Sequence, residues 1–156
     1  MAKPQAMTRQ EIMPLIDHLA RVGRRALDIA LSDWLRPRHV VALRLLYERG
    51  PMLQHALGGA LSLDPSNVVG LLNELEERGL IERRRDPADR RRHIVSLSAA
   101  GSAELARTYV RLGLAEDEMF SALSANERAT LYELLVRAVG AACPPYGASP
   151  CEGEPC

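Results

Sequence analysis

A chain of 156 residues that is 47% hydrophobic can close one domain around a core, and with aromatics at 4% the packing falls to Leu, Ala and Val, which favours helices over a β-sandwich. Twenty basic residues balance twenty acidic ones, so net charge excludes nothing about nucleic acid and only its distribution can point there. No apolar run nears the roughly 20 residues of a membrane helix, and the opening MAKPQAMTRQ lacks an apolar signal core, so a cytoplasmic protein with no membrane partner is expected.

Residues 1–7 read as a flexible tail. Thr8 with Glu11 forms a capping box, and Ile12, Leu15, Ile16, Leu19, Val22, Ala26, Ile29 and Ala30 then recur at three and four. That spacing predicts an amphipathic helix over about Arg9 to Leu31, with Pro14 near its first turn, where proline costs least. Ser32-Asp33 ends it. Pro37 is placed as the first residue of a second helix, which runs through Val40, Val41, Leu43, Leu45 and Leu46 to Gly50-Pro51. A shorter helix follows over Leu53 to Ala60, in which Gly58-Gly59 either weakens the helix or lets a neighbour approach closely.

Asp64-Pro65-Ser66 then opens a helix with Val68, Leu71, Leu72 and Leu75 on one face, and Gly79 stops it. Helix, short turn, helix is the helix-turn-helix unit. A strand is expected over Leu80 to Arg84 and another over His93 to Leu97. Between them lies the densest positive charge of the chain, Arg83 to Arg85 and Arg90 to Arg92 against Asp86 and Asp89. Lys3 is the only lysine, so the arginine excess alone also fits a GC-rich coding sequence; its crowding between two strands is the informative part. Ser98 opens a helix to about Leu123, and Ser124 with Glu127 caps a last one ending at Gly140. Ala141 to Cys156, rich in Pro, Gly and Cys without period, reads as a disordered tail.

The fold class expected is mainly α: a winged helix-turn-helix with a two-stranded β-wing, flanked by dimerisation helices. In domain terms, 8–140 form one unit, with 8–33 and 99–140 as dimerisation helices and 36–98 as the DNA-binding lobe. The end helices carry more apolar surface than one winged helix can cover. A homodimer is the economical answer, and a two-fold dimer matches a palindromic operator.

Catalysis and cofactors find no support. There is no nucleophile with a base and an orienting group, no Gly-rich phosphate loop and no metal pair, so no enzyme, no cofactor and no metal site is expected. Cys143, Cys151 and Cys156 are spaced by eight and five with no histidine nearby, which fits no strong zinc pattern. A redox-responsive tail is an alternative, as is a helical ligand-binding or interaction protein that does not bind DNA.

Several stretches resemble the MarR (multiple-antibiotic-resistance) type of transcriptional regulator. They are Leu61-Ser62 to Asn67, the run Leu75-Glu76-Glu77-Arg78-Gly79-Leu80-Ile81-Glu82-Arg83, and above all Asp86-Pro87-Ala88-Asp89-Arg90-Arg91-Arg92 followed by Val95-Ser96-Leu97-Ser98-Ala99-Ala100-Gly101. The helix order matches over about residues 8–140, with Ser98 where the family usually has Thr. The resemblance implies an obligate homodimer, a recognition helix from about Ser66 to Arg78, and a wing arginine in the minor groove. By position that arginine is Arg91, with Asp89 orienting its guanidinium and Arg90 and Arg92 beside it.

Many relatives carry a polar or basic pair where this chain has Val69-Gly70. That leaves Ser66, Asn67 and Asn73 as candidates for base edges, with Gly70 allowing a close approach to the groove. Arg36, Arg38 and Arg44 either contact phosphate or pair with Glu48. The resemblance further implies a small-molecule effector, often a phenolic anion, bound between the dimer helices and the DNA-binding lobe. His18, Trp34, Arg38 and His39 are the candidates there, against the plainer reading of Trp34 as a packing residue.

Overall fold

The computed structural model describes residues 11–31 and 34–140. Helix α1 (Ile12–Ala30) leads to α2 (Pro37–Arg49), strand β1 (Met52–Leu53), α3 (Gln54–Ala60) and α4 (Pro65–Glu77). Strands β2 (Ile81–Arg85) and β3 (His93–Leu97) follow, then α5 (Ala99–Met119) and α6 (Ala125–Val139).

The helix boundaries follow from local chemistry. Pro37 is the first residue of α2, where its missing N–H costs nothing. Asp64 caps α4, its Oδ1 accepting from the N–H groups of Ser66 and Asn67 at 3.1 Å each. At the other end the Gly79 N–H donates to Glu76 O at 2.8 Å and the Leu80 N–H to Leu75 O at 3.0 Å. That paired closure needs a left-handed residue, and Gly79 supplies φ +67°. Ser98 Oγ accepts from the Gly101 N–H at 2.9 Å and donates to Gly79 O at 2.6 Å, so one hydroxyl starts α5 and ties it to the end of α4. Ser124 and Glu127 form the expected capping box of α6.

The structure departs from expectation in several places, the first wing strand lying one residue later, at Ile81–Arg85, among them. The first helix begins at Ile12 with Glu11 as its cap, and the Thr8 box lies outside the described residues, as do both tails and all three cysteines. Helix α5 stops at Met119 rather than near Leu123, because the chain turns through Phe120 to Leu123 before Ser124. The sheet has three strands, in the order β1-β3-β2, all antiparallel. The wing hairpin is two-stranded as expected, with Arg83 opposite Val95, but Met52 and Leu53 add a third strand on the far side of β3.

Leu43, Leu46, Leu57, Leu72, Leu75, Ile81 and Val95 form the heart of the core, joined by Leu35 ahead of α2 and Leu105 of α5. Gly58 settles the question raised by its pair: a Cβ there would sit 2.7 Å from Val68 Cγ2, so α3 and α4 meet at its bare backbone, while Gly59 faces open space. Helix α1 buries only Ala30 and lies along α5; α6 buries nothing. Arg111 of α5 donates from Nε to Ala30 O at 2.8 Å, closing the last turn of α1. Among the described residues no helix is long and apolar enough to cross a membrane.

Candidate nucleic-acid interface

Helix α4 turns Val68, Leu71, Leu72 and Leu75 into the core and leaves Ser66, Asn67, Val69, Gly70 and Asn73 exposed. The N-terminal polar residues are bound into the cap. Ser66 Oγ donates to Asp64 Oδ1 at 2.5 Å and Asn67 Nδ2 donates to Asp64 Oδ2. These bonds, the Ser66 hydroxyl first, lower the Asp64 carboxyl to about 2. Asn73 Oδ1 accepts from Arg83 Nη2 at 2.7 Å, and Arg83 Nε also donates to Glu76 at 2.8 Å. Each asparagine is thus partly engaged and still has amide groups for a base edge. Asn67 keeps its carbonyl oxygen and a second amide hydrogen, and Asn73 keeps both amide hydrogens and a second lone pair on Oδ1. Gly70 lies on the same open face, and a Cβ there would meet nothing within 4 Å.

The wing loop is built by its two aspartates. Asp86 donates its N–H to Arg92 O at 3.0 Å and accepts from the Ala88 N–H at 2.9 Å. Asp89 Oδ1 accepts from the Arg91 N–H at 3.0 Å, while Oδ2 lies 3.2 Å from Arg92 Nε. This corrects the expected role of Asp89. Its carboxylate shapes the turn and holds the guanidinium of Arg92, not that of Arg91, because the tight turn spends the Arg91 contact on the backbone. Arg83, Arg84 and Arg85 are engaged with Glu76, Glu82 and the carbonyl of Arg90. Arg90 and Arg91 stand exposed at the tip. An open cleft of about 330 Å³ separates Arg91 and Arg92 from His55, Gly58 and Val69, so the tip stands beside the helix pair and is not packed on it.

Trp34, Arg38 and His39 do meet, around a cleft of about 680 Å³ that also reaches Ser66, Asn67 and Gly70. His18 does not join them; it is exposed on α1 and lines neither this cleft nor the one described next. His39 is 2% exposed. Its Nδ1 accepts from the Arg36 N–H at 3.0 Å and its Nε2 lies 3.3 Å from Glu74 Oε2, so neither nitrogen is left for an effector. Trp34 packs partly against the core and carries the Arg78 guanidinium 4.4 Å from its ring centre. Arg44 pairs with Glu48 at 2.6 Å, the ion-pair side of that alternative, which holds the guanidinium further toward its charged form.

A second cleft, of about 640 Å³, opens between α1, α2 and α5. Leu27, Val40, Tyr109 and Phe120 line it, with Arg24 and Arg44 at hand as cations. Sequence reasoning missed it because its walls come from three helices, and each residue, taken alone, belongs to an ordinary apolar stripe. Among the described residues no cluster of three His, Cys, Asp or Glu could hold a metal ion.

Comparison with known proteins fits this geometry. The profile of the MarR family matches residues 35–93, from the start of α2 into β3. A protein of Thauera aromatica named as a transcriptional regulator of the hcr operon is 36% identical over 120 residues, covering 76% of this chain and 72% of that protein. The crystal structure of MarR from Escherichia coli, without ligand, superposes with a TM-score of 0.70 at 25% identity, over 85% of this chain and 98% of that one. The PcaV regulator of Streptomyces coelicolor, solved with its natural ligand, superposes with a TM-score of 0.65 at 25% identity, over 91% and 99%.

Proposed function

This chain belongs to the MarR family of transcriptional regulators, and from that premise we propose that it acts as a homodimeric repressor of a palindromic operator, released by a small aromatic or anionic effector. Each subunit sets α4 in the major groove and its wing in the adjacent minor groove. The observation that carries this reading is the shared exposure of two elements: a capped helix with a bare Gly70 face, and beside it a wing tip with Arg90 and Arg91 exposed. A guanidinium is flat and always charged, which suits a narrow, negative groove. Ser66, Asn67 and Asn73 face the bases with the polar groups their internal bonds leave over, and Arg38 lies at the start of α2 within reach of phosphate.

The second subunit is supported by the unburied apolar rows of the end helices. Tyr132, Leu134, Leu135, Val136 and Val139 of α6 and Ile12, Met13 and Leu15 of α1 are all exposed. The effector is best placed in the cleft between α1, α2 and α5, where apolar walls and two arginines suit an aromatic anion, and the capture of PcaV with a natural ligand supports a small-molecule effector in general. Trp34 and Arg38 border the neighbouring cleft on the DNA side. Release follows population shift: the effector binds best to a dimer whose recognition helices are spaced wrongly for two successive major grooves.

Binding of the purified protein to fragments of its own genome, measured against salt, tests the reading. A steep fall of affinity with salt is expected. On a selected fragment, Arg91→Ala should cost about 1–3 kcal/mol of affinity with thermal unfolding unchanged. Absence of binding at low salt would refute DNA recognition; an unchanged affinity of the variant would refute the wing assignment alone.

A further inference from the structure

We propose that His39 is a positioning residue for DNA recognition: its neutral imidazole, carrying its proton on Nε2, pins α4 to the first turn of α2. The inference rests on the operator-binding reading above and adds a residue that does not touch DNA. Nδ1 accepts from the Arg36 N–H at 3.0 Å, so it cannot itself bear a hydrogen. The proton is thereby forced onto Nε2, which faces Glu74 Oε2 of α4 at 3.3 Å. Nδ1 thus serves the N-cap of its own helix, and Nε2 is the atom that reaches across to α4.

The neighbours make this a clasp. Trp34 leans on the imidazole with ring centres 5.9 Å apart, and the Arg78 guanidinium lies over the other ring of that pair, Trp34. Arg78 also donates to Glu74 O at 3.1 Å, so the same guanidinium closes the C-terminal turn of α4. On the opposite flank Arg83 of the wing binds Asn73 and Glu76. The recognition helix is thus gripped on both sides, and its rotation decides which of Ser66, Asn67, Gly70 and Asn73 faces the groove.

The charged groups around His39 are Arg36 and Arg38 of α2 and Glu74 and Arg78 of α4. Burial is the largest influence and holds the imidazole neutral below its usual range; Glu74 opposes it, and the three arginines add to it. Protonation would put a hydrogen on Nδ1 against the Arg36 N–H and break the cap. Acid therefore removes the Nδ1 end of the pin, its anchor on the first turn of α2, while the Nε2 end keeps its attraction to Glu74.

The test measures, for wild type, His39→Gln and Glu74→Ala, the ratio of affinities for a duplex selected by the wild-type protein and for a random duplex of equal length, from pH 8 to 5.5. Charge changes beside phosphate move both affinities together; a misplaced helix moves the ratio. His39→Gln keeps an acceptor for the Arg36 N–H and so should melt close to wild type. Its ratio at pH 8 should fall several-fold, up to about tenfold, the scale of one close polar contact to a carboxylate. Glu74→Ala, on the exposed side of the contact, should lose a similar factor, and the double variant no more than either alone. The wild-type ratio should fall with acid while that of His39→Gln stays flat. Unchanged ratios, additive losses or superimposable pH profiles overturn the proposal, as does a nitrogen NMR signature showing Nδ1 protonated at neutral pH without DNA. If the wild-type protein binds no DNA, the regulator reading fails first and takes this one with it; if it binds and the ratios do not move, only the clasp is lost.

Discussion

Gly70 isolates what a single residue contributes to the interface. It sits inside α4, where glycine costs a helix about 0.5–1 kcal/mol relative to alanine, and no packing neighbour needs the space. Gly70→Ala should therefore raise thermal stability by about that amount. If α4 lies deep in the groove, the same methyl should weaken operator binding, so stability and affinity should move in opposite directions when measured by melting and by titration on the selected duplex. A variant that gained both would show that the Gly70 face does not approach DNA. The polar residues teach a related point. Ser66, Asn67 and Asn73 were legible in the sequence as polar and helical, but their partners were not. That Asp64 takes the hydroxyl and the amide, and that Arg83 reaches Asn73 from ten residues away, depends on side-chain directions no linear pattern encodes. The same holds for Asp89: a carboxylate two residues before Arg91 reads as its partner, yet the turn delivers the backbone N–H there and the guanidinium of Arg92 to the other oxygen.

Between elements, the close approaches matter most. A Cβ on Gly101 would lie 2.0 Å from the backbone oxygen of Leu80, where α5 passes the start of the wing. A carbonyl in that position cannot swing aside as a side chain could, and the Leu80 oxygen already accepts from the Ser98 N–H at 3.0 Å. Gly101→Ala should cost roughly 1–3 kcal/mol or more of overpacking strain, read as a lower denaturant midpoint. A fully stable variant would mean that α5 can shift along the wing without penalty. The helix starts at Pro37, Asp64, Ser98 and Ser124 were all readable, because caps are local and act within four residues. Strand β1 was not. Two residues are too few to show an alternating pattern, and Met52 and Leu53 are strand only because β3 offers them a free edge more than forty residues later.

At the scale of the molecule, the lobe from Leu35 to Leu105 holds the core and the end helices leave their apolar rows uncovered. If the proposed homodimer forms through these rows, a charge placed on α6, as in Leu134→Asp with Val136→Asp, should split it into subunits that keep the fold of the lobe, seen as a halved mass by light scattering with helical content retained. Operator affinity should drop far more than affinity for random duplex, since only a dimer spans two half-sites. A variant of unchanged mass would place the interface elsewhere. The sequence by itself determined the kind of protein: helix order, caps, the basic hairpin and the family all rest on spacings within about ten residues, and local spacing is what a linear chain records. The tertiary structure alone decided which groups remain available for work. The cleft proposed for the effector joins α1, α2 and α5, and His39 is consumed between α2 and α4 while His18 stays apart on α1. Those outcomes depend on distances between residues far apart in the chain, which packing sets and spacing does not.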